Sequence, residues 1–302
     1  MTGKTCSADV SVVIPCYNAE RWVGRAIDSV LAQEGVTVEV IVIDDGSTDG
    51  SVDVLRGYNN RICWETGPNR GACAARNRGL ALARADYVMF LDADDFVSVE
   101  LLASMLQSAI SQSADCSVAQ VFDQSPNGPL TPRLTPRVNN WRFLLEDWLK
   151  GAAVPPCGLI WKKSFVINLD GWTPCLSKNQ DGELVYRAAL RGAVFCRATT
   201  GYAVYWQHSG DRITNNVTRE KLWDAFQTQV QLVDDLSGHG EFWGDLYHAV
   251  SMSTHGLEKR ASALSDASVE RNIAAFRRYH KFLSYEGTRL HILGCRIMGL
   301  RK

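Results

Sequence analysis

Three short apolar runs, all lying before Asp95, each stop abruptly at a cluster of polar or acidic side chains. Val10 to Ile14 (VSVVI) leads into Pro15, Cys16, Tyr17 and Asn18; Val38 to Ile43 (VEVIVI) leads into Asp44 and Asp45; Tyr87 to Leu91 (YVMFL) leads into Asp92, Ala93, Asp94 and Asp95. Continuous runs of this kind, rich in β-branched residues, read as buried strands. After the first, Ala19, Trp22, Val23, Ala26, Ile27, Val30 and Leu31 recur at helical spacing, with Asn18 as candidate N-cap. Further helices are expected from about Val52, over Ala72 to Arg84 and over Leu101 to Ile110, and further strands over Arg61 to Trp64 and Cys116 to Phe122. This alternation predicts an α/β fold with a mainly parallel, doubly wound sheet flanked by helices. Ligands in such sheets bind beyond the carboxyl ends of the strands, so the three polar clusters should share one rim.

Asp92, Asp94 and Asp95 place three carboxylates within four residues beside a hydrophobic strand. Like charges held so close are costly, and a divalent cation such as Mg²⁺ or Mn²⁺ removes the cost. The competing reading is a helix N-terminus decorated with acids. Asp44 and Asp45 open the segment DDGSTDG. An Asx-type turn explains Ser47 and Asp49, whereas paired carboxylates at a strand mouth can also accept from a pyrimidine N–H or a ribose hydroxyl. Arg76, early in the Ala-rich helix, can point at a diphosphate or simply lie on the surface. Gly71 and Ala72 leave room for close approach to the backbone.

The bulk composition excludes several classes. Lys and Arg total 32 against 33 Asp and Glu, so no overall charge draws the chain to nucleic acid. Ten Lys or Arg against three acids lie between Lys259 and Lys302, a stretch that suits a solvated helical face or peripheral contact with a membrane surface. Nine cysteines without a CxxC pair fit reduced thiols in a cytoplasmic protein rather than a disulfide framework or a zinc site. Neither a signal-peptide pattern nor a membrane-spanning run is visible. The proline-rich stretch Asp123 to Asn140, with its tandem LTPRLTPR, reads as a lid near an acceptor or as a plain connector. Trp141 to Leu149 and Asp181 to Gly192 have helical periodicity, and helical propensity dominates from Arg219.

The segments VSVVIPCYNAERWVGRAIDSVLAQ, VEVIVIDDGSTDGS, NRGACAARNRGLALARADYVMFLDADD and QDGELVYRAALRG, in that order, resemble family 2 glycosyltransferases of the GT-A fold. The resemblance is dense from Val10 to about Leu102, thin from Gly158 to Gly192, and unusable over roughly the last 85 residues. It implies a GT-A domain over residues 1–215, divided into a nucleotide-sugar half (about 8–122) and an acceptor half (123–215), with a helical C-terminal extension over 216–302. It further implies a nucleotide-sugar donor (a UDP-sugar), Mn²⁺ or Mg²⁺, and a glycan or glycolipid acceptor. It implies that transfer proceeds with inversion; the chain's lack of a signal or spanning segment and its basic tail suit a cytoplasmic protein, at most peripheral at the cytoplasmic face of the membrane.

By the same resemblance, Pro15, Tyr17, Asn18, Asp44, Asp45, Arg76, Asp92 and Ala93 match donor-binding positions. Asp94 matches the metal-binding acid of the DXD motif, His208 a softer metal ligand, and Asp181 the catalytic base. Gln180 departs from the family, where Glu often precedes the catalytic Asp. That departure alone supports an alternative, a non-catalytic nucleotide-sugar-binding protein of the same fold. A nucleotidyltransferase ranks last, because IPCYNAERW is not a triphosphate loop. On the residues alone, Asp181 also reads as an N-cap. Trp161, Trp172 and Trp206 are candidate sugar platforms that also suit a core, and Arg212 is a candidate phosphate clamp.

Overall fold

The computed structural model describes residues 8–174, 176, 179–208, 218–238, 245–263 and 271–274. The chain alternates at first: β1 (Val10–Cys16), α1 (Val23–Leu31), β2 (Val38–Asp44), α2 (Ser51–Gly57), β3 (Cys63–Thr66), α3 (Ala72–Leu82) and β4 (Tyr87–Phe90). There follow β5 (Phe96–Val97), α4 (Leu101–Ser111), β6 (Cys116–Gln124), β7 (Thr131–Pro132), α5 (Trp141–Leu149), β8 (Leu159–Lys162), α6 (Lys163–Asn168), α7 (Gln180–Leu190) and β9 (Phe195–Trp206). Two long helices close the series, α8 (Arg219–Gly238) and α9 (Asp245–Ala263). One sheet runs in the order β3-β2-β1-β4-β8-β6-β9-β5, with β7 paired to β6 outside that path. It is parallel from β3 to β4 and again between β6 and β9, and antiparallel elsewhere.

β1 lies inside the parallel half, and Val10, Val12, Val13 and Ile14 are fully buried, as expected for a strand covered on both faces. Helix α1 buries Val23, Ala26, Ile27 and Val30, the i, i+3, i+4, i+7 stripe of an amphipathic helix. Asn18 does not cap it. Trp22 holds the N-cap position, while Asn18 takes φ 49° and serves the neighbouring loop. The strand expected from Arg61 begins only at Cys63, because Asn59–Arg61 forms a 3-10 turn.

Several elements were not visible in the pattern, among them β5, β7, α6, β8 and β9. β9 is 12 residues long, and its ATTG centre interrupts any alternation; Gly201 there takes φ +76° with its α-carbon packed near Leu101. β8 is a short strand hidden in the mixed run after Gly158. The proline-rich stretch after Asp123 is tied down at two arginines. Arg133 donates from its backbone to Val121 O and from its side chain to Asp123, and Arg137 is paired with Glu146 and Asp147. These bonds fix the stretch at Arg133 and Arg137.

Helix α9 packs against both α5 and α8, burying Leu246, Ala249, Val250 and Leu257. Among the described residues no helix is long and apolar enough to cross a membrane.

Gly79 shows how closely α3 lies on β1. A methyl group there would stand 2.2 Å from Val13 Cγ1. Glycine inside a helix costs about 1 kcal/mol relative to alanine, so Gly79→Ala would ordinarily stabilise. Here the clash with a buried β-branched side chain dominates, and a net loss of about 1–2 kcal/mol is expected. Urea unfolding measures it, and a gain in stability would show that α3 can lift from the sheet.

Candidate active site

The parallel half of the sheet delivers three strand ends to one rim. β1 pairs with β2 through Cys16↔Asp44, but with β4 only through Val13↔Phe90. One further bond, from Leu91 N to Val13 O, ends that ladder. Pro15, two residues on, faces the same side and has no N–H to extend it. The chain after Leu91 therefore leaves the sheet and forms the Asp92–Asp95 loop.

Hydrogen bonds staple the loops after β1 and β2 together. Asn18 N donates to Ser47 Oγ (2.9 Å), Thr48 N to Asn18 Oδ1 (2.8 Å), Ala19 N to Ser51 Oγ (2.9 Å) and Glu20 N to Asp49 Oδ2 (3.1 Å). Tyr17 is 51% exposed at this edge. Asp44 is buried and accepts from Thr66 Oγ1 at 2.6 Å. Both carboxylate oxygens of Asp45 accept backbone N–H groups, from Arg70 at 2.7 Å and Gly71 at 2.8 Å. Asp45 thus shapes the 69–71 loop, and each of its carboxylate oxygens keeps a lone pair for a further donor. Gly71 takes φ +89° and has open space above its α-carbon.

Arg76 is buried and joins two segments distant in sequence. Its Nη2 donates to Asp92 Oδ1 at 2.6 Å and its Nη1 to Gln180 Oε1 at 2.7 Å, with the guanidinium 4.5 Å from the centre of the Trp172 ring. Gln180 also donates from Nε2 to Leu176 O at 2.6 Å. A glutamate could accept from Arg76 but could not make that second bond. Asp181 follows in the first turn of α7; the N-cap position belongs to Asn179, so Asp181 does not cap the helix. Its surface is partly exposed, yet the surrounding protein pushes its carboxyl up. Burial is the largest cause and Asp92 adds to it, while backbone hydrogen bonds and Arg76 oppose it.

On the other side of the loop, Asp94 Oδ2 meets His208 Nε2 at 3.1 Å. Ala93, between the two outward acids, is buried. Asp95 points inward, fully buried, accepting from Trp206 N at 3.0 Å through Oδ1. Its carboxyl is raised well above the usual range, first by burial and then by Asp94 and Asp92. Among the described residues, no group of three or more His, Cys, Asp or Glu is placed to hold a metal ion. Asp94 and His208 offer two hard or borderline donors, and Mg²⁺ and Mn²⁺ commonly complete such a set with substrate phosphate oxygens.

Sequence reasoning missed Arg25 and the role of Trp22. Arg25 Nη2 donates to Asp94 O at 2.7 Å, and Trp22 stacks on His208 with ring centres 4.8 Å apart. Both lie at the start of α1, where they read as ordinary helix residues, and no local signal distinguishes them. Trp161 and Trp172 are core residues, each 1% exposed, and are not sugar platforms; their rings pack edge-on against Phe195 and Phe90. Trp206 lies against Arg25. Arg212 lies outside the described residues, as does most of the basic tail.

The family model described as glycosyl transferase family 2 matches residues 11–165, more than half of the chain. The succinoglycan biosynthesis protein ExoO of Rhizobium meliloti is 39% identical over 112 residues, covering 36% of this chain and 32% of that protein. Three other curated relatives are matched over only 17%, 40% and 39% of their own lengths. Among solved structures, S. aureus TarS 1-349 in complex with UDP-GlcNAc gives a TM-score of 0.69 at 17% identity, covering 90% of this chain and 81% of that one. GalNAc-T7 with UDP, GalNAc and Mn²⁺ gives 0.58 at 16% identity, covering 82% and 54%. These likenesses show the GT-A fold.

The clasp on the 69–71 loop is open to test. Asp45→Asn places an amide donor against one of the two backbone N–H groups. The expected loss is about 1–3 kcal/mol of stability, the cost of a buried donor left unmatched. Thermal melting reads it, and an unchanged transition would mean that the loop does not depend on the carboxylate.

Proposed function

The chain belongs to glycosyl transferase family 2, and on that premise we propose that it moves a sugar from a nucleoside-diphosphate sugar to an acceptor hydroxyl with inversion. The observation that carries this reading is the Arg76 bridge. It ties Asp92, on the donor side, to Gln180, so one buried cation holds a donor-binding acid and the residue next to the candidate base Asp181. UDP is the favoured nucleotide, because Asp44, Asp45 and the exposed Tyr17 ring line the edge where a pyrimidine and its ribose would lie. The presence of UDP-GlcNAc with TarS, and of UDP, GalNAc and Mn²⁺ with GalNAc-T7, supports that choice and the use of a divalent cation. ExoO's part in succinoglycan biosynthesis supports a glycan or glycolipid acceptor. We assign this work to residues 1–215, in the cytoplasm beside the membrane, with the helical segment after 215 as an extension.

In the proposed reaction, Pro15, Tyr17, Asn18, Asp44 and Asp45 bound the nucleoside end of the cleft. Asp92 and the adjoining Ala93 backbone face the ribose and sugar, and Arg76 keeps Asp92 oriented. A divalent cation shared by Asp94, His208 and the donor's phosphate oxygens would neutralise charge on the departing diphosphate. The acceptor oxygen attacks the anomeric carbon as the bond from that carbon to the phosphate oxygen breaks, and the hydroxyl proton passes to the Asp181 carboxylate. A single displacement of this kind inverts the anomeric centre.

Asp181→Asn is expected to lower transfer by about 10²–10⁴-fold while leaving UDP-sugar binding intact. Comparable turnover would remove Asp181 from the base role. Thermal-shift screening of nucleotide-sugars with and without Mn²⁺ should show a metal-enhanced shift, and Asp94→Ala should abolish the metal-dependent part. A base must be ionised to act. Because Asp181 is raised above its ordinary 3.8, kcat/KM should fall on acidification with a midpoint above that value. A midpoint at or below 3.8 would speak against it.

A further inference from the structure

Arg25 has no place in the reaction just described, yet its setting is specific. It sits in the first turn of α1, its guanidinium 4.4 Å from the centre of the Phe96 ring and 4.1 Å from that of Trp206, with Trp22 at 5.8 Å. The cation is half-buried, and burial pulls its pKa down while Asp95 and Asp94 raise it. Nη2 is spent on the Asp94 carbonyl. Among the described residues, the buried Nε of Arg25, Oδ2 of Asp95 and Nε1 of Trp206 find no hydrogen-bond partner.

The rings around Arg25 belong to the residues that carry the Asp94–His208 pair. Phe96 ends the Asp92–Asp95 loop and begins β5; Trp206 ends β9, two residues before His208; Trp22 stacks on His208 itself. Asp95 in turn fastens the loop to Trp206 N.

We propose that Arg25 is a positioning residue: caged by Phe96, Trp206 and Trp22 and bonded to the Asp94 carbonyl, it holds Asp94 against His208 in the orientation that receives the cation. This rests on the metal-assisted reading above. The guanidinium suits the task because it stacks and donates at once in a fixed plane. An ammonium can donate to the carbonyl but cannot stack across two rings.

The test uses the full chain with Arg25→Met and Arg25→Lys, and Val250→Ala, in α9 against α5 and α8, as a destabilised control away from the loop. The first readout needs no metal. Amide exchange over residues 92–97 should quicken in Arg25→Met beyond any change elsewhere in the chain, and should stay slow in Val250→Ala. Exchange in this loop that merely follows global stability would overturn the proposal. The second readout is the Mn²⁺ concentration that half-saturates the metal-enhanced part of UDP binding. It should rise by about tenfold in Arg25→Met, as for loss of an outer-shell partner. Arg25→Lys should fall between the two, and metal-free UDP affinity should be unchanged. An unchanged Mn²⁺ requirement, or an equal loss of metal-free affinity, would overturn it. Should the parent chain bind UDP without regard to metal, the metal-assisted reading fails, and the exchange measurement still decides whether Arg25 holds the loop.

Discussion

A buried guanidinium joins two segments of the chain that lie far apart in sequence. Arg76 reaches Asp92 from one side and Gln180 from the other, with Trp172 against its face. Carboxylates crowd this end of the sheet because the parallel strands β1, β2 and β4 all end there. Their mutual repulsion has to be met locally. Arg76 answers it at Asp92 and Arg25 contributes near Asp94, whereas Asp95 is held inside with one oxygen unmatched. The neutral amide of Gln180 fits this arrangement. It accepts from Arg76 without adding another negative charge beside Asp92 and Asp181, and its second bond fixes the approach to α7.

The parallel half of the fold was legible because its signals are local. A strand covered on both faces must be apolar throughout, as Val10 to Ile14 is, and an amphipathic helix such as α1 repeats its stripe every turn. The distal half was less legible. The pairing of β9 with β6 is made between segments nearly eighty residues apart, with a register shift between Val118 and Gln120, and neither leaves a periodic trace. Asn18 misled as a cap because its side chain serves a neighbouring loop, a contact that only the sheet's assembly creates.

The site divided along the same line. Acids at strand ends announce themselves, since few other arrangements make three carboxylates in four residues tolerable. Arg25 and Trp22 do not, because each acquires its meaning only when β5 and β9 bring Phe96, Trp206 and His208 alongside. The tryptophans show the converse. Trp161 and Trp172 carry a chemistry that suits sugars, but the sheet encloses both.

The grip of Asp45 on the 69–71 loop has an evolutionary corollary. The carboxylate holds main-chain N–H groups, so the contour of that loop is largely indifferent to which side chain stands at position 70. Arg70 can thus be exchanged with little disturbance to the frame around it. A lineage could change the side chain that this rim presents through substitutions at one surface residue, while the scaffold beneath stays as it is.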